Sequence, residues 1–227
     1  MMDCCKHDYD SVFSARRAEK DLKRYRRKGP DKSTRLLIDA LCSVGVRGKS
    51  LLDIGGGIGV IDHELLDEGA DSAIHIDAAA GSTRAAEEES TRRGTRDRIQ
   101  FRHGDFVAVA AAIPGADVVT LDRVICCYAN MDQLVSASVA HARELLGIVV
   151  PRERRITRVG RFGVNTMFRL TRTPFRFHIH RIRDIERLLG AAGFHVQSVA
   201  ETIFWHVAVF ARSIDRAVPA PRGGLPS

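Results

Sequence analysis

Short apolar runs alternate along this chain with segments whose apolar residues recur at helical spacing. Leu51-Leu52-Asp53-Ile54 is one such run, and it ends in four glycines within five residues, Gly55-Gly56-Gly57-Ile58-Gly59. An apolar run before a glycine-rich turn predicts a buried parallel strand leading into a helix, here Val60–Glu68. The pattern repeats. A strand is predicted over 73–77 and a polar helix over 82–93. A strand over 98–102 precedes a short helix to Ile113, and Pro114-Gly115 makes a turn. A strand over 116–122, a helix over 131–145 and a strand over 147–150 complete the series. Such alternation predicts an α/β fold, a doubly wound parallel sheet with helices on both faces.

Both flanks depart from this rhythm. Residues 13–27 read as a basic helix broken by Gly29-Pro30-Asp31. Asp31 or Ser33 can cap a second helix that buries Leu36, Leu37, Ile38 and Leu41. After residue 151 the chain becomes Arg-rich until a helix over 181–192, with Ile182, Ile185, Leu188 and Leu189 inward. Two strands over 194–200 and 203–211, joined by Glu201-Thr202, form a hairpin signal. Residues 1–12 and 213–227 read as disordered; the tail holds three of the seven prolines. The expected organisation is a pair of N-terminal basic helices (1–48), an α/β domain (49–212) with a basic insertion at 152–179, and the tail.

The glycine spacing restricts the ligand. Gly55, Gly57 and Gly59 give G-x-G-x-G, and the sixth position is Val60, so the pyrophosphate fingerprint G-x-G-x-x-G/A is absent. Asp53, two residues before the first glycine, is expected to accept hydrogen bonds from loop amides. The whole, D-x-G-x-G-x-G, resembles motif I of class I S-adenosylmethionine (SAM)-dependent methyltransferases. That resemblance implies a seven-stranded Rossmann-like sheet ending in an antiparallel hairpin, with the loop against the amino-acid part of S-adenosyl-L-methionine.

In open α/β sheets a ligand lies beyond the carboxyl ends of the strands. Asp77, ending the second strand, can accept two ribose hydroxyls there or can cap a helix. Gly104-Asp105-Phe106 resembles the family's adenine motif, with Asp105 accepting the adenine amino group and Phe106 packing on the ring; the alternative is again a turn and cap. The fourth strand ends Leu121-Asp122-Arg123-Val124, where the family places the methyl group and the acceptor. Asp122, Tyr128, His178, His180 and His206 are the candidate bases, should the acceptor carry a proton that must leave. Arg24 to Lys32, taken with Leu121-Asp122-Arg123-Val124, looks like small bacterial methyltransferases near magnesium-protoporphyrin O-methyltransferase. In that family the N-terminal helices cover SAM, which brings Tyr25 to the substrate side.

Charge adds a substrate class. The net charge is +7, and it is concentrated: residues 14–35 hold ten Lys/Arg against three Asp/Glu, and 152–187 hold eleven against three. Two basic zones suit an anionic acceptor, a nucleic acid or an acidic membrane face. Within the second zone, Ile156, Val159, Phe162, Met167 and Leu170 recur near helical spacing, and arginines including Arg158 and Arg161 occupy other positions. Gly160 and Gly163 weaken that helix. A mobile lid whose arginines clamp a carboxylate or phosphate fits the pattern, as does a helix lying on an anionic membrane.

No apolar run approaches the roughly 18 residues of a membrane span, and the N-terminus has no secretory apolar region. Five cysteines, with pairs at Cys4-Cys5 and Cys126-Cys127, fit a reducing cytoplasm better than a disulfide framework. Cys126-Cys127 could take a soft metal, but adjacent cysteines lack zinc spacing and also suit a buried apolar turn, so no metal is expected. The sequence therefore predicts a cytoplasmic methyltransferase acting on a small anionic acceptor, most readily at oxygen. Its rivals are a nucleic-acid methyltransferase, although an N/D-P-P-Y/F signature is missing after the fourth strand, and a SAM-binding protein without catalysis.

Overall fold

A computed structural model describes residues 9–213. Cys4, Cys5 and the tail from 214 lie outside the described residues, and so does most of the disorder expected at the two ends. Residues 9–12 do fall within them and form a helical turn, α1 (Tyr9–Val12). The sequence predicted no structure there, because what anchors the turn is distant: Tyr9 and Phe13 both set their rings edge-on to Phe175.

Two helices follow, α2 (Ala15–Lys28) and α3 (Lys32–Val44), and Asp31 caps α3 by accepting the Thr34 N–H. Then come β1 (Ser50–Ile54), α4 (Val60–Asp67), β2 (Ser72–Asp77), α5 (Ala80–Arg93), β3 (Ile99–His103), α6 (Phe106–Val109), β4 (Ala116–Asp122), α7 (Met131–His141) and β5 (Ala142–Pro151). The chain closes with α8 (Arg155–Leu170), α9 (Ile182–Ala191), β6 (Phe194–Glu201) and β7 (Trp205–Arg212). The strands form one seven-stranded sheet in the order β3-β2-β1-β4-β5-β7-β6. The first five are parallel, and β7 runs antiparallel to both its neighbours.

Strand side chains alternate between faces, which separates the core into two halves. Leu52, Val119 and Ile148 meet α7 and α9 through Leu134, Val135, Ile185 and Leu189. Leu51, Val118 and Val149 meet α3 and α4 through Leu37, Leu41, Ile61 and Leu65. The predicted doubly wound sheet is the one observed.

Some boundaries differ. The helix expected to run through Leu145 stops at His141, and β5 begins at Ala142. Leu145 and Leu146 pair with Val118 and Val119 on one side and with Ala211 and Phe210 on the other. Consecutive apolar residues suit a central strand covered on both faces, and pairing along both edges outweighs the helical periodicity. The final hairpin turns over Thr202–Phe204, one residue more than predicted, with Glu201 opposite His206.

Helix α8 is present over the predicted stretch. The apolar row read from the sequence, Val159, Phe162, Met167 and Leu170, is exposed. The Ile156 side chain lies outside the described ones. The side toward the body carries a second series: Thr157 is buried, Phe168 meets Phe175 edge-on at 5.4 Å, and Arg161 and Val164, still exposed, line a surface cleft. Both series recur near helical spacing, so periodicity alone does not choose between them.

Candidate active site

The carboxyl ends of β1, β2, β3 and β4 bring together the glycine loop, Asp77, Asp105 and Asp122. The loop is bound tightly to β2. The Gly55 and Gly56 amides both donate to the Ile76 carbonyl, at 2.7 and 3.2 Å. Gly55 has φ +66°, and a Cβ there would lie 2.5 Å from Val124 in the turn after β4. Glycine thus lets the loop take a left-handed conformation and close against the strand-four turn. A Cβ on Gly56 would strike His75 Nδ1 at 2.5 Å.

Asp77 accepts the Gly57 N–H on Oδ2 at 2.8 Å and the Ala79 N–H on Oδ1 at 2.7 Å. It ties the loop to the start of α5 and stays half-buried, with an acceptor lone pair left on each oxygen. Asp105 caps α6 by accepting the Val107 N–H, and the Tyr128 hydroxyl donates to the same oxygen. That bond joins the end of β3 to the turn after β4.

Asp53 departs from expectation. No loop amide donates to it; the loop amides go to Ile76 and Asp77 instead. Its side chain is buried beneath the loop, where Oδ1 accepts the Thr120 hydroxyl at 2.6 Å. Beside it lie Asp62 and His75, both fully buried, with His75 Nδ1 2.7 Å from Asp62 Oδ2. Burial and then the Asp62 charge push the Asp53 carboxyl well above its usual range. Burial works against a charged His75, yet Asp62 outweighs it and holds the ring above its ordinary value. The acid of the motif thus belongs to a buried proton-holding network that supports the loop from below.

Phe106 also departs. Its side chain is only 2 % exposed and packs edge-on against His141 at 5.3 Å, inside the α7 half of the core. The residue after an N-cap starts the helix, and here that first turn faces inward, so Phe106 has no open face to offer an adenine.

Tyr25 is the third departure. It is 4 % exposed, its hydroxyl donates to Glu64 at 2.6 Å and accepts from Arg93 at 2.7 Å, and its ring stacks on His63. With Ala18, Leu22 and Ala85 it packs against Ile58 of the loop and Val60 at the start of α4. Tyr25 fastens α2 over the glycine loop and offers no surface to a substrate. Its neighbour His63 is buried with neither ring nitrogen hydrogen-bonded, and burial lowers its pKa to about 4. An unfolded chain takes up that proton near pH 6.5, so the stability contribution is complete above that value and is lost as pH falls toward 4. His63→Leu should therefore flatten the melting temperature between pH 7 and 5. The wild type should lose about 2 kcal/mol over that interval, relative to the variant, in paired thermal melts.

Asp122 is held by Arg123 Nε at 3.0 Å and by the Thr34 hydroxyl. Arg123, at φ +63°, also donates to Asp31 at 2.7 Å and lies over the Trp205 ring at 5.8 Å. Burial opposes charge at Asp31, but Arg123 and the Thr34 N–H hold its carboxyl below the usual range. Asp122 is thus one member of an ion network joining α3 to the end of β4, which suits positioning better than proton removal. The sequence reading missed Arg123 and Thr34 as site residues; a long charged side chain directly after a strand-end acid was the available signal.

The other candidate bases divide. The His178 N–H donates to the Cys126 carbonyl, His178 stacks on His180 at 5.8 Å, and His180 Nε2 lies 2.7 Å from the Tyr128 carbonyl oxygen. Tyr128, His178 and His180 therefore gather around the turn after β4. His206 is buried on β7, 3.5 Å from Glu201, and lies apart from them. The Cys126 and Cys127 thiols both donate to the Arg123 carbonyl, and the neighbouring Cys127 thiol, then burial, raises the Cys126 pKa.

Beside Arg123 a cleft of about 270 Å³ opens between α8 and the ends of β5 and β7. Val164, Phe177, Phe204 and Trp205 give it an apolar, aromatic lining, and among the described residues Arg161 is its one cation. Asn165 secures the far wall through two hydrogen bonds to the Phe177 backbone. Arg158 does not line the cleft. Trp205, Arg123, Val124 and Gly55 form a continuous path of contacts from cleft to glycine loop.

A family model for the O-methyltransferase domain matches residues 7–150, which hold the loop and every acidic strand end. The chain belongs to the O-methyltransferase domain family. Enzymes of this family take the methyl group from SAM. No curated protein matches the sequence. Among solved structures the chain is similar to magnesium protoporphyrin IX methyltransferase from Synechocystis with bound S-adenosylhomocysteine. That match has 17% identity and a TM-score of 0.68, over 90% of this chain and 100% of that one. An O-methyltransferase family protein from Burkholderia thailandensis is similar at 15% identity and TM-score 0.68, over 92% and 64%. Human N-acetylserotonin methyltransferase in complex with SAM is similar at 16% identity and TM-score 0.64, over 91% and 59%. At these identities the likeness is one of fold. The O-methyltransferase domain and its SAM requirement are what the sequence motifs implied.

Proposed function

We propose that this protein transfers the SAM methyl group to an oxygen of a small acceptor with an apolar body and an anionic group. The observation that carries the reading is the apolar cleft with Arg161 in its wall, connected through Trp205 and Arg123 to the glycine loop. The open lone pairs of Asp77 suit the ribose hydroxyls. Asp105 suits the adenine amino group, and Gly57, whose Cβ position faces open space, leaves backbone room for the amino-acid part. Helices α2 and α3 act as the cofactor-side cover, and residues 152–179 as the acceptor-side lid.

SAM supplies an activated methyl group, so the protein's part is mainly to hold two reactants in line. An oxygen acceptor that carries a proton needs a base. His178, beside the strand-four turn, is the residue we assign to that task, while the Tyr128 hydroxyl holds Asp105. Asp122 orients Arg123 and the turn.

A transfer assay with methyl-labelled SAM tests the reading, using cell extract split into small-molecule, nucleic-acid and protein fractions. Label is expected in the small-molecule fraction. Label in nucleic acid would replace this reading, and tight SAM binding with no transfer would leave a binding protein. Once an acceptor is found, Arg161→Gln should raise its KM about tenfold, the scale of one charge-assisted contact, and leave SAM affinity unchanged. Arg158→Gln should leave KM within about twofold. Equal KM effects from both substitutions would remove Arg161 from its assigned place.

A further inference from the structure

Helix α8 has two apolar faces, and only one is used by the fold. The inner face lines the cleft. On the outer face, Val159, Phe162 and Leu170 are 72%, 74% and 81% exposed. Three large apolar side chains in one row on a 16-residue helix are unusual on a solvent-facing surface. The same side of the helix carries Arg155, Arg158 and Arg169. Among the described residues, no carboxylate lies within ion-pair distance of these arginines. A row of apolar residues beside unpaired cations is the pattern of a helix lying in the plane of a membrane surface. The helix is too short to span a bilayer, and no described helix is long and apolar enough to do so.

We propose that the outer face of α8 docks the protein on an anionic lipid surface, with Val159, Phe162 and Leu170 entering the headgroup–acyl boundary and the arginines meeting lipid phosphates. Charge decides among the occupants. A second copy would bring the same arginines against each other, and like charges at close range oppose association. A nucleic acid would satisfy the arginines but not Val159 or Leu170, because neither side chain stacks on a base. Anionic lipid satisfies both classes of residue together.

Co-sedimentation of the full chain with vesicles tests this. The protein should pellet with phosphatidylcholine vesicles containing about a third phosphatidylglycerol, and not with phosphatidylcholine alone. Phe162→Ser with Leu170→Ser should lower the partition coefficient about tenfold or more, at unchanged melting temperature and SAM affinity. Arg155→Gln with Arg169→Gln should lower it as well, and added salt should weaken wild-type binding. The proposal fails if the wild type stays in the supernatant with anionic vesicles. It fails equally if the Phe162/Leu170 variant pellets as the wild type does, since binding would then be charge alone. A wild-type dimer in sedimentation that becomes monomeric in that variant would make the face a contact between copies. Duplex or single-stranded DNA binding lost in the same variant would make it a nucleic-acid surface, and either result overturns the proposal.

Discussion

Glu89→Gln is expected to destabilise the protein by about 3 kcal/mol, a fall in melting temperature of about 10 °C for a chain of this size. The Glu89 carboxylate has no exposed surface and lies among three guanidinium groups. Arg26 Nε donates to it at 2.7 Å from α2, Arg93 Nε at 3.0 Å, and Arg92 closes the group from α5 itself. Burial alone would raise its pKa, but Arg92, Arg26 and Arg93 hold it at about 2. A neutral amide of the same shape leaves those cations without a matching charge. Their partial exposure keeps the loss below that of a fully enclosed pair, since Arg92 is 52% exposed at the side chain. The pH dependence gives a second check. The folded pKa is depressed, so the contribution is complete above the unfolded carboxylate value near 4.5 and is lost as pH falls toward 2. The wild type should therefore lose its advantage over Glu89→Gln across that window. A variant that melts within about 2 °C of the wild type at pH 7 would show that α2 is held by its apolar contacts alone.

That buried carboxylate illustrates what the sequence could not show. Glu89 sits in the run Glu87-Glu88-Glu89, on a helix that reads as polar all round, and nothing in the run separates the buried glutamate from its exposed neighbours. The separation comes from α2, which crosses α5 and brings Arg26 to it. Tyr25 is a parallel case: the family's covering helices implied a substrate contact, whereas its partners Glu64 and Arg93 stand 39 and 68 residues away. The strands and their order of use were legible, because the sheet depends on local apolar runs and glycine turns. The glycine loop was legible as a backbone feature. The partner of Asp53 was not, because a strand residue two positions before a turn can face the loop or the interior. Here the interior network of Asp62, His75 and Thr120 receives it. On α8 the periodicity correctly identified a helix, yet two interleaved rows left its orientation open, which the contact of Phe168 with Phe175 decides.

Asp77→Ala is expected to weaken SAM binding about 100-fold, or about 3 kcal/mol, while the fold persists. Two effects add in the same direction. The first is loss of the acceptor we assign to the ribose hydroxyls; hydrogen bonds to a charged group are worth about 1.5–3 kcal/mol each. The second is loss of loop order: Asp77 accepts the Gly57 amide and the Ala79 amide, and without it the middle of the glycine loop is no longer tied to the start of α5. The loop's remaining bonds to the Ile76 carbonyl hold only its first two residues. The side chain is half-buried at a strand end and outside both core halves, so the melting temperature of the cofactor-free protein should drop by no more than a few degrees. Asp77→Asn separates the two effects. The amide oxygen can still accept the Gly57 N–H, but the charge that favours the ribose hydroxyls is gone, so SAM affinity should fall about tenfold and not 100-fold. Calorimetric titration with SAM and with S-adenosylhomocysteine reads both variants. Unchanged affinity in Asp77→Ala with a lowered melting temperature would reduce Asp77 to a structural cap of α5 and move the ribose contact elsewhere.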